Sequence, residues 1–298
     1  MQRDDRGTGP VSRRTLIQGA AGLAAAGALA TQAEAADEPV ATRGRVRQSL
    51  CQWCYQKYWD VEGLCRVAKR LGCTSVELVD PKDWPTLKKH GLACAIANSH
   101  WFDKGMNNPK YHDMCISKMT AAIDACAEYG FPSVITFTGY REDVADDAGI
   151  ANCVAGYKKV VGHAERKGVT LCLEMLNSRV AEEMKGHPGY QGDHTDYCLE
   201  IIRKVGSPRL KLLFDIYHVQ IMDGDVIRRL RQDIDLIGHV HTAGNPGRGE
   251  LDDRQEINYP PIMRALVDAG YKGYVGQEFI PTRDPFEGLK QAVALCDV

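Results

Sequence analysis

Past residue 46 the chain alternates short apolar runs with longer amphipathic ones. The short runs read as strands near 47–51, 74–79, 92–97, 133–138, 170–175, 211–216, 236–242 and 273–279. Between them, apolar positions recur at helical spacing near 60–71, 82–89, 110–130, 150–167, 192–205, 223–231, 259–269 and 284–296. Glycine stops follow several of these helices, at Gly72, Gly130, Gly168, Gly206 and Gly270. Strand-then-helix units repeated eight times with short links predict an α/β fold, the (β/α)8 TIM barrel. An open doubly wound sheet is the competing arrangement, weakened because no G-x-G-x-x-G follows the first strand.

In such a barrel alternate strand residues point inward and the others pack under the helices. In the fifth strand Thr170, Cys172 and Glu174 are expected to face in. In the sixth the inward set is Lys211, Leu213 and Asp215. In the seventh Ile237, His239 and His241 share a face, and in the eighth Tyr274, Gly276 and Glu278 do. Four consecutive strands thus deliver Glu174, Asp215, His241 and Glu278 near their C-terminal ends, where barrel active sites lie.

Carboxylates crowded at a barrel mouth repel and raise one another's pKa, and a bound divalent cation resolves the conflict. Oxygen-rich ligation with one histidine suits Mn²⁺ or Mg²⁺, with Co²⁺ or Zn²⁺ also fitting. His239 reads as a satisfied interior histidine. His218 lies in the loop straight after Asp215, and Asp223 or Asp225 is expected to cap the next helix. The glycines around Arg248 permit a tight loop that leaves this side chain near the mouth. Glu77 and His100 end the second and third strands and are further candidates for substrate contact. Trp101 follows His100, with core packing as its default role and a wall of the pocket as the other.

The N-terminal segment changes the picture of the first 46 residues. Arg13-Arg14 precede an Ala/Gly/Leu run and an Ala33-Glu34-Ala35 ending, the pattern of a signal peptide of twin-arginine type. Residues 1–35 are therefore expected to be a cleaved leader, 36–46 a linker and 47–298 a single barrel domain. The expected location is periplasmic, with no stable membrane insertion after cleavage. The eleven cysteines are scattered and mostly set among apolar residues, as core positions. Cys51-Gln52-Trp53-Cys54 has C-x-x-C spacing, but no second pair follows at zinc-finger distance. Lys+Arg is 37 and Asp+Glu is 39, for a net charge of -2. That balance argues against nucleic acid as the main partner.

Several stretches carry a family resemblance: Leu173-Glu174-Met175-Leu176-Asn177, His187-Pro188-Gly189-Tyr190, Asp215-Ile216-Tyr217-His218-Val219-Gln220-Ile221-Met222, His239-Val240-His241 running to Arg248, and Gly276-Gln277-Glu278-Phe279. On these the chain resembles the sugar isomerase/epimerase superfamily with the xylose isomerase-like TIM barrel, and within it the hydroxypyruvate isomerase family. The resemblance covers about Arg47 to Arg283. It implies that Glu174, Asp215, His241 and Glu278 hold one divalent metal ion. It also implies that Glu174 and Glu278 are the acid/base pair, with His218 and Arg248 on the substrate's oxygens. The family's third ligand is often Gln; His241 in that place is similar to the ketose 3-epimerases. The stretch from Arg179 to Gly186 looks inserted.

The implied activity is interconversion of hydroxypyruvate and tartronate semialdehyde, or of a related small hydroxy-carbonyl compound or sugar, through an enediolate. Three alternatives compete. One is a ketose 3-epimerase or a lyase acting on sugars or 3-keto glycosides. Another is a zinc-dependent abasic-site nuclease, which the charge balance opposes. The last is a non-catalytic exported sugar-binding protein. Enzymes of this kind are often dimers or tetramers, so a homo-oligomer is one expectation.

Overall fold

A computed structural model describes residues 39–298. The leader and its cleavage after Ala35 lie outside the described residues. Seven parallel strands form one sheet: β1 (Arg47–Cys51), β2 (Ser75–Glu77), β3 (Ser133–Thr136), β4 (Thr170–Glu174), β5 (Leu210–Asp215), β6 (Ile237–Thr242) and β7 (Tyr274–Gln277). Their order is β2-β1-β7-β6-β5-β4-β3. Helices follow the strands, among them Val61–Leu71, His112–Tyr129, Asp146–Lys167 and Thr195–Val205. The glycine stops take left-handed backbone, as at Gly72 (φ 81°) and Gly168 (φ 71°).

The predicted strand at 92–97 is the main departure. It closes the barrel between β2 and β3, but through isolated bridges, Ser75 to Ala93 and Ala97 to Val134. At Ala95 side-chain hydroxyls replace the ladder. Ser75 Oγ accepts from the Ala95 amide at 2.8 Å, and Ser133 Oγ donates to its carbonyl at 2.6 Å. The backbone groups are satisfied without regular pairing, so the eighth position is strand-like in place but not in hydrogen bonding.

Register fixes the site. Asp215 pairs with His241, Leu213 with His239, and His241 with Gly276. The register shifts between Leu212 and Leu213, which pair with Ile237 and His239 and leave Gly238 as the extra residue. A Cβ on Gly238 would meet Cys172 Sγ at 2.8 Å, so this residue faces in beside His239. Ile237, paired with Leu212, therefore does not share the histidines' face, contrary to the simple alternation.

Two short helices were not expected. Gln52–Tyr55 follows β1 and Ile216–Met222 follows β5. The second starts early because Asp215 caps it, accepting from Tyr217 N at 2.8 Å and His218 N at 3.4 Å. Asp223 does not cap the next helix. It holds Thr195 N at 2.8 Å, at the start of the helix Thr195–Val205. Asp225 occupies the N-cap place of Val226–Asp233 without a side-chain cap bond. All eleven cysteines are free and buried. Among the described residues no helix is long and apolar enough to cross a membrane.

Candidate active site

Glu174, Asp215, His241 and Glu278 converge at the C-terminal end of the sheet. Each offers one ligand atom, and all four atoms lie within 4.8 Å of one another. His241 Nδ1 is 3.5 Å from Glu174 Oε1 and 3.0 Å from Glu278 Oε2. Glu278 sits one residue past β7, and its amide donates to Thr242 O at 3.0 Å. Tyr190 ties down the end of β4: its hydroxyl donates to the Glu174 carbonyl at 2.8 Å.

Glu174 Oε1, Asp215 Oδ2 and His241 Nδ1 are buried and have no hydrogen-bond partner. A buried polar atom left unpaired is costly, and here three aim at one point. Two carboxylate oxygens and an imidazole nitrogen so disposed, with Glu278 alongside, fit one divalent cation. Asp215 divides its carboxylate, with Oδ1 capping the helix and Oδ2 free to ligate.

The electrostatics split the two glutamates. Burial pushes Glu174 up to about 7, against the pull of His241. Glu278 is held well below the usual carboxylate range; burial opposes this, but His241 and Arg248 outweigh it. Burial likewise pushes Asp215 up to about 6. His241 is raised well above its ordinary value: burial lowers it, but the attraction of Glu278 and the adjoining carboxylates of Glu174 and Glu77 outweigh that.

Arg248 reaches the site as the glycine pattern predicts, with its own backbone left-handed at φ 55°. Its guanidinium donates to Glu278 Oε2 at 2.6 Å and to Met184 O at 2.5 Å. It is flanked by the rings of Trp53 and Tyr217, at 5.3 and 5.7 Å. His218 is fully buried. Its Nδ1 accepts from Asn177 N at 3.1 Å, which leaves the proton on Nε2, 3.5 Å from Asp215 Oδ2.

The other two expected substrate contacts sit elsewhere. Glu77 is fully buried behind His241 and accepts from it and from His239. It does not line the cavity beside the site. His100 is satisfied in the wall: its ring nitrogens meet Trp101 O, Lys104 O and Thr136 Oγ1. Neither residue is among those that line the cavity beside Glu174 and Glu278.

That cavity has a volume of about 280 Å³. Glu174, Glu278, Arg248 and His187 form one side; Trp101, Phe102 and Phe137 form an aromatic wall. Trp101 is 56% exposed and lines this cavity, so it does not take the core-packing role that is a tryptophan's default. Two site residues escaped the sequence reading. Trp53 donates to Glu278 Oε1 at 2.9 Å, yet its C-x-x-C setting drew attention only to the thiols. His187 lies in the quoted H-P-G-Y run. Its ring packs 4.3 Å from Phe102, and burial lowers its pKa to about 4, so it is neutral near pH 7.

The sequence matches the family described as xylose isomerase-like TIM barrel over residues 65–297. The chain belongs to that family. A Homo sapiens relative, named "Putative hydroxypyruvate isomerase", is 30% identical over 233 residues, covering 76% of this chain and 78% of the relative. The 2-oxo-tetronate isomerase of Cupriavidus necator is 37% identical over 147 residues, 48% of this chain and 54% of that protein. A solved structure of a 3-keto-D-glucoside 4-epimerase from Escherichia coli superposes with a TM-score of 0.71 at 18% identity, covering 84% of this chain and 98% of that one. That likeness shows the fold. The curated relatives of this xylose isomerase-like barrel are isomerases.

Proposed function

We propose that the chain catalyses proton-transfer isomerisation of a small hydroxy-carbonyl acid, of the hydroxypyruvate and tartronate semialdehyde kind, with one divalent cation, Mn²⁺ or Mg²⁺. The observation that carries this reading is the convergence of Glu174, Asp215, His241 and Glu278 on one point, with three buried unpaired atoms among them. A cation held by Glu174, Asp215, His241 and Glu278 would supply positive charge to stabilise negative charge developing on the substrate's oxygens.

The chain's own groups do the rest. Ionised Glu278 takes the proton from the hydroxyl-bearing carbon and returns it to the former carbonyl carbon, and Glu174 relays the hydroxyl proton from one oxygen to the other. Arg248 and the Nε2–H of His218 orient those oxygens. Neutral His187 faces the cavity beside them and suits a hydroxyl partner. The aromatic wall shields the reacting carbon from water. A second reading, 3-epimerisation of a ketose, is favoured by His241 as third ligand.

Deuterium exchange tests the proposal. Metal-loaded protein in D₂O with hydroxypyruvate is expected to give metal-dependent deuterium uptake and tartronate semialdehyde by NMR. Uptake only with ketoses moves the assignment to epimerase. No exchange with either overturns it.

Metal binding must displace protons from Glu174 and Asp215, whose pKa values lie at about 7 and about 6, and from raised His241. Affinity is therefore expected to fall as pH drops below about 7, by about tenfold per pH unit for each proton displaced. Calorimetric titration with Mn²⁺ in buffers of different ionisation enthalpy measures both the Kd and the protons released. A Kd unchanged from pH 7.5 to 5.5 contradicts the ligand set.

A further inference from the structure

We infer that Glu77 is a positioning residue for the metal site, acting through His241. His241 has one nitrogen, Nδ1, aimed at Glu174 and Glu278. Its other nitrogen, Nε2, donates to Glu77 Oε1 at 2.9 Å. A neutral imidazole has a single lone pair, so a proton fixed on Nε2 leaves that pair on Nδ1, facing the other three ligands. His239 Nε2 donates to the same Glu77 oxygen at 3.2 Å and holds the carboxylate from a second side. The two histidine rings stand at 89° to each other, 4.8 Å apart, so the carboxylate bridges a fixed corner.

The barrel makes room for this assembly. Glu77, His239 and His241 are all essentially unexposed, in an interior layer that other barrels fill with aliphatic side chains. Gly276 lies opposite His241 on β7. A Cβ there would overlap Glu77 Oε1 and would sit 2.9 Å from His241 Cδ2. The missing side chain is the space that the carboxylate occupies. A buried carboxylate that touches neither cavity nor solvent, and bonds two histidines of which one is a ligand, has a job in orienting that ligand.

Glu77 Oε2 has no partner, so a second ion held by Glu77, His239 and His241 is the competing assignment. It would put both nitrogens of His241 on metal.

The inference rests on the metal site, not on the substrate, and its test reads metal affinity. Metal-free protein is titrated with Mn²⁺ by calorimetry, with circular dichroism melts alongside. Wild type is expected to bind one equivalent. Glu77→Ala is expected to weaken the Kd by about 10–100-fold with a cooperative melt retained. Glu77→Gln keeps an acceptor for Nε2 and is expected to recover part of the loss. Should Glu77→Ala fail to fold, Gly276→Ala provides the same displacement from the opposite strand and is expected to weaken binding likewise. A folded Glu77→Ala with wild-type Kd overturns the inference. So does a second tight equivalent in wild type that Glu77→Ala removes. Loss of isomerase activity on every substrate, with the affinity pattern intact, would count against the proposed reaction alone.

Discussion

Glu278→Gln is expected to lower turnover by about 10³–10⁴-fold while the barrel remains folded, within the range that a positioned acid or base supplies. The expectation follows from how many groups prepare this carboxylate. Trp53 Nε1 holds Oε1 at 2.9 Å, while Arg248 holds Oε2 at 2.6 Å. Both favour the ionised form, and the amide of Gln cannot accept a proton from carbon. The substitution keeps shape and one acceptor, so folding should survive, although a neutral side chain leaves Arg248 with less compensation. Single-turnover deuterium exchange reads the chemistry directly, and a melt checks the fold. Exchange within about tenfold of wild type would remove Glu278 from the proton path. Glu174→Gln is the paired control. A similar loss there supports two proton-handling groups; a loss confined to one supports a single shuttle.

The second large effect belongs to Arg248. Arg248→Ala is expected to reduce kcat/KM by about 10²–10³-fold, the scale for losing one charge-stabilising donor in an active site. It should also destabilise the protein, because breaking a buried ion pair strands the surviving charge, at a cost of about 3–5 kcal/mol. The side chain is 3% exposed and joins three parts of the site. It neutralises Glu278, approaches Asp215 Oδ2 at 3.6 Å, and pins the stretch from Arg179 to Gly186 through Met184 O. Arg248→Lys keeps the charge but has no planar fork to serve Glu278 and Met184 together, so it should recover stability more than rate. Steady-state kinetics and thermal melts on the three proteins separate the two roles. Wild-type kcat/KM in Arg248→Ala would place the guanidinium outside the reaction.

Much of this was legible from residue order because strand parity is a rigid rule. Glu174, Asp215, His241 and Glu278 each end a strand on the inward phase, and the barrel brings inward strand ends together. Where hydrogen bonding departed from the rule, residue order is a weaker guide. Leu92 to Ala97 reads as a strand by hydrophobicity, but two serines on neighbouring strands take over its backbone groups at Ala95. Gly238 marks a bulge, a usual meaning of glycine inside a strand, and it moved Ile237 off the histidines' face. Glu77 and His100 have the strand-end position of substrate contacts, yet the first bonds inward and the second is consumed by the wall. Position along a strand predicts which end of the barrel a side chain reaches, not which neighbour claims it. His187 depends on how the stretch from Arg179 to Gly186 is folded over the site, which no periodicity describes.

Asp215 shows how narrow the choice of residue can become. One oxygen closes the first turn of the helix Ile216–Met222, and the other is left for the cation. Asparagine would keep the cap and lose the charge. Glutamate would keep the charge, but its longer side chain would not reach both the helix amides and the ligand position. The junction between strand and helix and the chemistry of the mouth are thus written in one side chain. A designer wishing to move this site to another barrel would have to transplant the turn along with the ligand.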